Sequence, residues 1–184
     1  KIDLEIEERP TGEISLTAGF GTTGETLGGG IRENNFLGKG IRLDTNIELT
    51  PESIKGRFIY SKPNFNYSDN TLFTSIKSSS SDFMTDSGYK TSEIGFSLGT
   101  RFEQFQNIFL RPEVDFLIED LETSSKASST LKKQEGSYTD LYFNYSINQD
   151  LRDKKFRTED GYVTTFTQEL SVISDNSEIS NAFE

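Results

Sequence analysis

Apolar and polar residues alternate with a period of two along much of the chain. In the run 41–49, four of the five odd positions are Ile or Leu, and every even position is charged or an amide. Because successive side chains of a β-strand point to opposite faces, this run predicts a strand with one apolar and one polar face. The same pattern recurs in the segments 13–20, 94–98, 108–118, 141–147 and 162–170.

Weaker alternation at 27–36, 53–61 and 72–79 adds three further strands. Pro112 removes one backbone donor from the segment 108–118, which weakens that prediction without cancelling it. No segment has convincing helical periodicity. The chain is therefore predicted to be all-β, an antiparallel up-and-down meander of about nine consecutive strands after a first short one.

The connections between these strands are predicted to differ in length. From the middle of the chain onward the longest polar segments, 80–90 and 119–139, fall on every second connection, and the serine run 78–81 is typical of a flexible loop. Every second connection of an antiparallel meander lies at the same end of the sheet, so one end is predicted to carry the longest loops. The connections 34–39 and 149–161 fall at the other end, whose turns contain the aromatic residues Phe36, Phe65, Tyr67, Phe105 and Phe156.

Two architectures produce alternating strands: a soluble sandwich with one face on a core, and a membrane barrel with one face on lipid and one on a watery lumen. Strand length and loop asymmetry favour the barrel, since membrane strands run to about 9 to 11 residues and sandwich strands to about 5 to 6. The low mean hydropathy of −0.58 agrees with a barrel, because half of each spanning strand faces water. Composition alone does not separate the two.

The composition narrows the chemistry. The chain has no Cys and no His, which excludes thiol nucleophiles, Cys/His zinc sites, imidazole catalysis and disulfides. Lys plus Arg is 19 against 30 Asp plus Glu, a net charge of −11, so the chain lacks the basic surface that nucleic-acid binding requires. We therefore expect no nucleic-acid partner.

Two motifs invite a functional interpretation but lack the residues that it requires. Gly28, Gly29 and Gly30 are not followed by the Lys-Ser/Thr of a phosphate loop, so a glycine-rich strand is the better interpretation. The segment 175–178, Asp-Asn-Ser-Glu, lacks the glycine and the terminal glutamate spacing of a calcium loop. It is interpreted as a solvated loop, and no metal site is predicted.

Carboxylate pairs are the remaining candidates for catalysis. Asp150 with Asp153, and Glu159 with Asp160, supply the two acids that a glycosidase needs. Both pairs lie in a connection that also contains four basic residues, which indicates a salt-linked turn. We predict no catalytic residue and no cofactor site, and we expect that the chain is not an enzyme.

Several segments, in order along the chain, resemble the BamA-type outer-membrane assembly factors. Residues 7–12, Glu-Glu-Arg-Pro-Thr-Gly, followed by 18–22 and by 35–40, Asn-Phe-Leu-Gly-Lys-Gly, resemble the junction between the last POTRA domain and the first two barrel strands. Residues 62–65 resemble the Asn-Pro-aromatic turn of that family, with Lys62 in place of the usual Asn. Residues 153–162 resemble its Asp…Phe-x-Thr-x-Gly turn.

The resemblance implies a sixteen-stranded transmembrane β-barrel in the cell outer membrane of a Gram-negative bacterium, of which this chain would form about the first nine strands. Residues 1–9 would end the last POTRA domain, and residues 10–184 would form the N-terminal portion of the barrel. The family's Val-Arg-Gly-Phe motif is absent and is expected later in a longer chain. Lys1 opens directly into an alternating stretch, which also indicates a piece of a longer protein.

The resemblance further implies a factor that folds and inserts client outer-membrane proteins, templating their strands at a weak junction between the first and last barrel strands. Its implied partners are outer-membrane lipid, unfolded client proteins and assembly lipoproteins; no ATP, metal or covalent step is needed. Gly12, Gly19 and Gly21 would either let the first strand twist away from its partner or mark bulges and turn entry. The alternatives are a secretion or translocation pore of the same superfamily and a soluble β-sandwich binding module. The predicted templating edge comprises Glu13, Ile14, Ser15, Leu16, Thr17, Ala18, Gly19 and Phe20.

Overall fold

A computed structural model describes residues 10–21, 24–174 and 179–183, the last of these for the backbone alone. The described residues form one antiparallel sheet in which each strand pairs only with its neighbours in the sequence, in the order β1 to β10. This confirms the predicted meander. The strands are β1 Gly12–Gly21, β2 Gly24–Phe36, β3 Ile41–Leu49, β4 Ser53–Lys62, β5 Thr71–Phe83, β6 Tyr89–Phe105, β7 Ile108–Thr123, β8 Gly136–Asp150, β9 Val163–Ile173 and β10 Ile179–Phe183.

The strand register places the alternating residues on two continuous faces. We call the first the apolar face; one row across it, from β1 to β8, is Ile14, Ile31, Thr45, Phe58, Ile76, Phe96, Phe116 and Leu141. We call the second the polar face; the adjacent row is Ser15, Gly30, Asn46, Arg57, Lys77, Gly95, Leu117 and Asp140. The period-two pattern of each strand thus adds up to one surface per face.

The apolar face is exposed, unlike the apolar face of a sheet in a soluble protein. Leu16 and Ile94 on the apolar face are 86% and 58% exposed, whereas Asp140 on the polar face is 7% exposed. Among the described residues, the buried hydrophobic side chains are Ile41, Phe73 and Ala127. No second layer formed by the described residues covers the apolar face. The sandwich alternative is therefore wrong for this fold.

The prediction of long loops at 80–90 and 119–139 is wrong. β5 continues to Phe83 and β6 begins at Tyr89, so the serine run 78–81 lies within a strand and pairs with both neighbouring strands. β7 continues to Thr123 and β8 begins at Gly136. Serine in β5 and acidic residues in β7 interrupt the apolar alternation, whereas the backbone ladder continues, so the sequence pattern ends before the strands do.

Helical structure is confined to two short elements within the described chain. The 3-10 turn Phe65–Tyr67 lies in the β4–β5 connection, and the helix α1, Ser129–Lys133, lies in the β7–β8 connection. The Ser128 hydroxyl accepts a hydrogen bond from the Leu131 N–H at 3.2 Å and caps α1. The prediction of no helix missed α1 because one capped turn is too short to show a helical period.

The connections at the two ends of the sheet are similar in extent, so the predicted loop asymmetry is also wrong. One end, which we call the aromatic end, carries the connections 37–40, 63–70, 106–107 and 151–162. The opposite end carries 50–52, 84–88 and 124–135 among the described connections. The prediction of aromatic turns is confirmed, since Phe36, Phe65, Tyr67, Phe105 and Phe156 lie in or beside the connections of the aromatic end.

Pro112 lies within β7 and perturbs one of its two neighbours. The β7–β8 register continues through the pair Pro112 and Tyr145. On the other side, the β6–β7 register skips from the pair Gly99 and Glu113 to the pair Phe102 and Leu110. The missing N–H thus interrupts one ladder and leaves the strand intact, as the sequence predicts.

Candidate functional site

β1 lies at the edge of the sheet and pairs with β2 alone. The pairing runs without a register shift from Gly12 opposite Glu33 to Gly21 opposite Gly24. In an antiparallel pair, alternate residues direct their N–H and C=O groups to the partner and the others direct them away. The eight residues 13–20 therefore present a row of backbone donors and acceptors on a side where no described strand pairs with them.

Three glycines of β2 lie opposite the centre of β1. Ser15, Leu16 and Thr17 pair with Gly30, Gly29 and Gly28, respectively, so the phosphate-loop interpretation is excluded and the strand interpretation is confirmed. The sheet at this point lacks the cross-strand side chains that normally stabilise a pair.

The three glycines do not impose the same steric limit. A Cβ at Gly30 would lie 2.8 Å from the Ser15 Oγ and 3.3 Å from the Thr45 carbonyl oxygen. At Gly28 and Gly29 the nearest atoms would lie 3.6 Å away, an ordinary van der Waals distance. Of the three positions, 30 is the most restricted, because an added Cβ would require the Ser15 hydroxyl to rotate away and the Thr45 carbonyl to shift slightly.

Glycines within β1 itself do not form bulges, because the β1–β2 register is continuous. A Cβ at Gly19 or Gly21 would have no described neighbour within 4 Å. Of the interpretations of Gly12, Gly19 and Gly21, the bulge is excluded, whereas turn entry fits Gly21, the last residue of β1. The proposal that they let the strand twist away stays a prediction.

Side chains anchor β1 at the aromatic end. The Glu33 carboxylate accepts hydrogen bonds from the Thr11 hydroxyl and, at 2.7 Å, from the Asn35 N–H. The Asn34 backbone N–H and side-chain amide each donate to the Thr11 carbonyl oxygen at 3.2 Å. β1 is thus fastened where the chain enters the sheet, while its outer edge has no partner strand among the described residues.

The turn 37–40 explains the Asn-Phe-Leu-Gly-Lys-Gly segment. Leu37, Gly38 and Gly40 have φ angles of 57°, 69° and 65°, in the region that favours glycine. The Asn35 side chain accepts from the Gly40 N–H at 2.7 Å, and the Gly38 N–H donates to the Asn35 carbonyl at 2.9 Å. The motif therefore specifies the hairpin that directs β3 alongside β2.

The connection 151–162 is held by the Asp153 carboxylate, which accepts from the N–H groups of Glu159 and Asp160 at 3.1 and 3.2 Å. These bonds, that from Asp160 foremost, lower the pKa of Asp153. The Thr158 hydroxyl donates to the Lys154 carbonyl at 2.8 Å. A Cβ at Gly161 would lie 2.1 Å from the Leu151 carbonyl oxygen, so the last position of the motif requires glycine.

Three carboxylates in or beside this connection, those of Asp150, Asp153 and Glu159, form ion pairs. Asp150 forms two hydrogen bonds of 2.8 Å with the Arg152 guanidinium, and Lys154 Nζ lies 3.0 Å from Glu159. A glycosidase acid needs a raised pKa, and the pKa of Asp153 is lowered. The salt-linked turn is confirmed, and the lowered pKa of Asp153 does not favour the general-acid role that a glycosidase requires.

Further along the sheet, the polar face carries a packed network. Lys77 Nζ lies 2.7 Å from Glu93, and Arg111 pairs with Glu113 at 3.3 Å. The Arg111 guanidinium also lies 4.3 Å from the centre of the Phe73 ring, which is 8% exposed. A Cβ at Gly99 would lie 2.3 Å from that ring, so Gly99 makes room for it. Sequence reasoning missed this network because its members lie on β5, β6 and β7.

Within the described residues, no group of three or more Asp or Glu side chains is placed to hold a metal ion. The calcium-like segment 175–178 lies outside the described residues. No described helix is long and apolar enough to cross a membrane.

An open antiparallel meander with an exposed apolar face and a polar, crowded opposite face is the wall of a membrane β-barrel. The family model described as the Omp85 superfamily domain matches residues 35–182. The chain therefore belongs to the Omp85 superfamily.

Among solved structures, the chain is similar to BamA from Haemophilus ducreyi lacking POTRA domains 1–3, with a TM-score of 0.69 and 21% sequence identity. The match covers 92% of this chain and 36% of that chain, so this chain spans about a third of it. No curated protein matches the sequence. The comparisons confirm the predicted resemblance to a BamA-type barrel.

Proposed function

We propose that the chain is the N-terminal portion of the barrel of an outer-membrane assembly factor, which folds and inserts client outer-membrane proteins. Membership of the Omp85 superfamily supports an outer-membrane location and a role in protein insertion or translocation. The family is one of assembly and transport, and the proposed function has no catalytic step. Its proposed partners are lipid, unfolded client proteins and assembly lipoproteins. Residues 1–9, which lie outside the described residues, would complete a POTRA domain, and residues 10–184 would belong to the barrel.

The two faces of the sheet support an orientation. The apolar face would contact lipid, since its side chains are exposed and apolar, and the polar face would line the lumen. The aromatic end would lie in the periplasm, where the POTRA domain joins β1, and the connections 84–88 and 124–135 would lie at the cell surface. An epitope tag inserted at Ser128 should then bind antibody on intact cells. Binding only after the outer membrane is permeabilised would reverse the orientation.

The open edge of β1 carries the proposed mechanism. In hydrocarbon, unpaired N–H and C=O groups find no water, so an edge strand is stabilised by any strand that pairs with it. A client strand would add to the edge at 13–20 through main-chain hydrogen bonds, independently of its sequence. The three glycines opposite Ser15, Leu16 and Thr17 would make the supporting wall thin enough for β1 to move with its client.

Proline substitutions remove single backbone N–H donors from β1, whereas alanine substitutions leave those donors in place. We expect Ala substitutions at positions 13–17 to be tolerated, because the β1 backbone is unchanged. Pro substitutions should block client assembly at alternate positions only, where the lost N–H faces the open edge. The readout is the yield of folded client protein in vesicles containing the full-length assembly factor. A Pro series without a period of two would argue against templating at this edge.

Cross-linking tests the contact directly, since the chain has no native Cys. Single Cys residues at positions 13–17 should form disulfides with a Cys in the terminal strand of a stalled client. Cys at Asn46, two strands from the edge in β3, serves as the matched control. If both sites cross-link equally, or neither does while the client is bound, β1 is a passive wall. A translocation pore of the same superfamily would then be the better function.

A further inference from the structure

A cavity of about 610 Å³ lies on the polar face of β5 to β9, away from the β1 edge. It lies next to the connection 124–135, which contributes Leu131 and Gln134 to its lining. Its walls include the carboxylates of Glu93, Glu119, Asp140 and Glu169, and no Lys or Arg lines it. The volume is in the range of small-ligand sites, about 300 to 1,000 Å³.

The acidic side chains of this cavity outnumber the cations that pair with them. Glu93 and Glu119 lie directly opposite each other in the β6–β7 register, an arrangement that destabilises a sheet when both are charged. Lys77 pairs with Glu93 at 2.7 Å. None of the ion pairs formed by the described residues includes Glu119, Asp140 or Glu169.

Asp140 is the independent sign of a missing ligand. Asp140 lines the cavity and is 7% exposed as a residue, and the ion pairs of the described residues do not include it. Its oxygens are not among the buried unsatisfied atoms of the described residues, so they face the cavity, where a donor can reach them. Outside the cavity lining but on the same face, the Asp115 Oδ1 and the Asn144 Oδ1 are buried without a donor. This part of the wall therefore has more acceptors than the described donors satisfy.

The arrangement indicates the kind of ligand. The described carboxylates do not converge in a group that could hold a metal ion. They are better placed to bind several positive charges that are spaced along one ligand. Tyr89, Tyr138 and Tyr142 also line the cavity, and aromatic faces attract ammonium groups. We propose that the cavity binds primary ammonium groups carried on an alkyl chain. They would come from a free polyamine or from Lys side chains of the polypeptide.

The test uses the full-length protein in detergent micelles with spermidine as the probe. Isothermal titration should show saturable binding to the native protein, weakened roughly tenfold or more by Asp140→Asn and by Glu119→Gln, because each removes one charge from the wall. Glu122→Gln is the matched control, since Glu122 lies on the same strand as Glu119 but is exposed and outside the cavity. Heat-modifiable gel migration establishes that each variant is folded. If Asp140→Asn does not fold, Glu119→Gln alone tests the proposal.

A second arm distinguishes the source of the ammonium group. Carbodiimide coupling followed by peptide mass spectrometry should join Glu119, Asp140 or Glu169 to a Lys other than Lys77 if the polypeptide itself fills the cavity. Spermidine binding that depends on Asp140 and Glu119 supports a free polyamine, and a coupled Lys supports the internal source. Equal spermidine binding by all variants without a coupled Lys overturns the proposal, as does the absence of both signals.

Discussion

The strands β1 to β4 and the strands β5 to β8 share one alternating pattern but build different walls. The first four contain 10, 13, 9 and 10 residues, and the second four contain 13, 17, 16 and 15. At the edge of the first wall, Leu16 is 86% exposed beside a glycine, whereas Phe116 in the second is 40% exposed. The second wall also carries the network around Phe73 and Arg111. The period-two alternation therefore specifies on which face each side chain lies, but not how strongly neighbouring strands are packed together.

The difference concerns the polar face and the strand edges more than the apolar face. In both walls the apolar side chains are exposed, so both would have the same relation to lipid. We call the strands β1 to β4 the thin wall and the strands β5 to β8 the tall wall. The tall wall is additionally stabilised by ion pairs and by the Phe73 ring, which packs over Gly99. The thin wall has an unpartnered edge next to three glycines.

The largest effect is expected from a charge on the apolar face. Phe96→Arg in the tall wall should destabilise the barrel by about 2 to 4 kcal/mol if it lies near the bilayer midplane, and Leu43→Arg in the thin wall by a similar amount. Ser97→Arg is the control for Phe96, because Ser97 lies on the polar face opposite Asp115 and should cost much less. Denaturant titration in lipid vesicles measures each value. Equal losses for Phe96→Arg and Ser97→Arg would contradict the assignment of faces.

A smaller effect on stability is expected when a glycine of each wall is replaced by alanine. Gly99→Ala should cost about 1 to 3 kcal/mol, since the new methyl group would overlap the Phe73 ring. Gly29→Ala has ordinary contacts only, and restriction of the unfolded chain should make it neutral or stabilising by about 0.4 to 1 kcal/mol. The same titration compares them. A greater loss for Gly29→Ala would show that the thin wall is as tightly packed as the tall one.

The smallest effect is local to the connection 151–162, which joins β8 to β9. The pKa of Asp153 is lowered in the folded state, so its stabilisation is present above the unfolded pKa of about 3.9 and is lost as pH falls through the folded value. Pepsin cleavage at the exposed Phe156 should therefore rise as the pH is lowered toward about 2. Asp153→Asn should already exchange the Glu159 and Asp160 amide hydrogens faster at neutral pH. Unchanged exchange would show that the turn does not depend on this carboxylate.

The sequence predicted the meander and the faces because alternation is a local property, as in 41–49 and 141–147. It missed the ends of β5 to β8 next to the connections 84–88 and 124–135, where polar and charged residues replace apolar ones on the apolar face although the backbone pairing continues. It predicted the β1 edge only through the family resemblance. Asp140 and Glu169 come together through the pairing of β8 with β9, and no local pattern marks them as neighbours.

The strictly sequential strand order has a consequence for how the chain acquires its structure. Because every strand pairs with the one just before or after it, contacts are short in sequence, loop closure costs little entropy, and folding can proceed as a zipper of hairpins. The hairpins β1–β2 and β6–β7, each joined by only two residues, are expected to close early. Because β1 pairs with β2 alone, the strand proposed to receive clients is also one whose pairing can open without breaking any other ladder of the sheet.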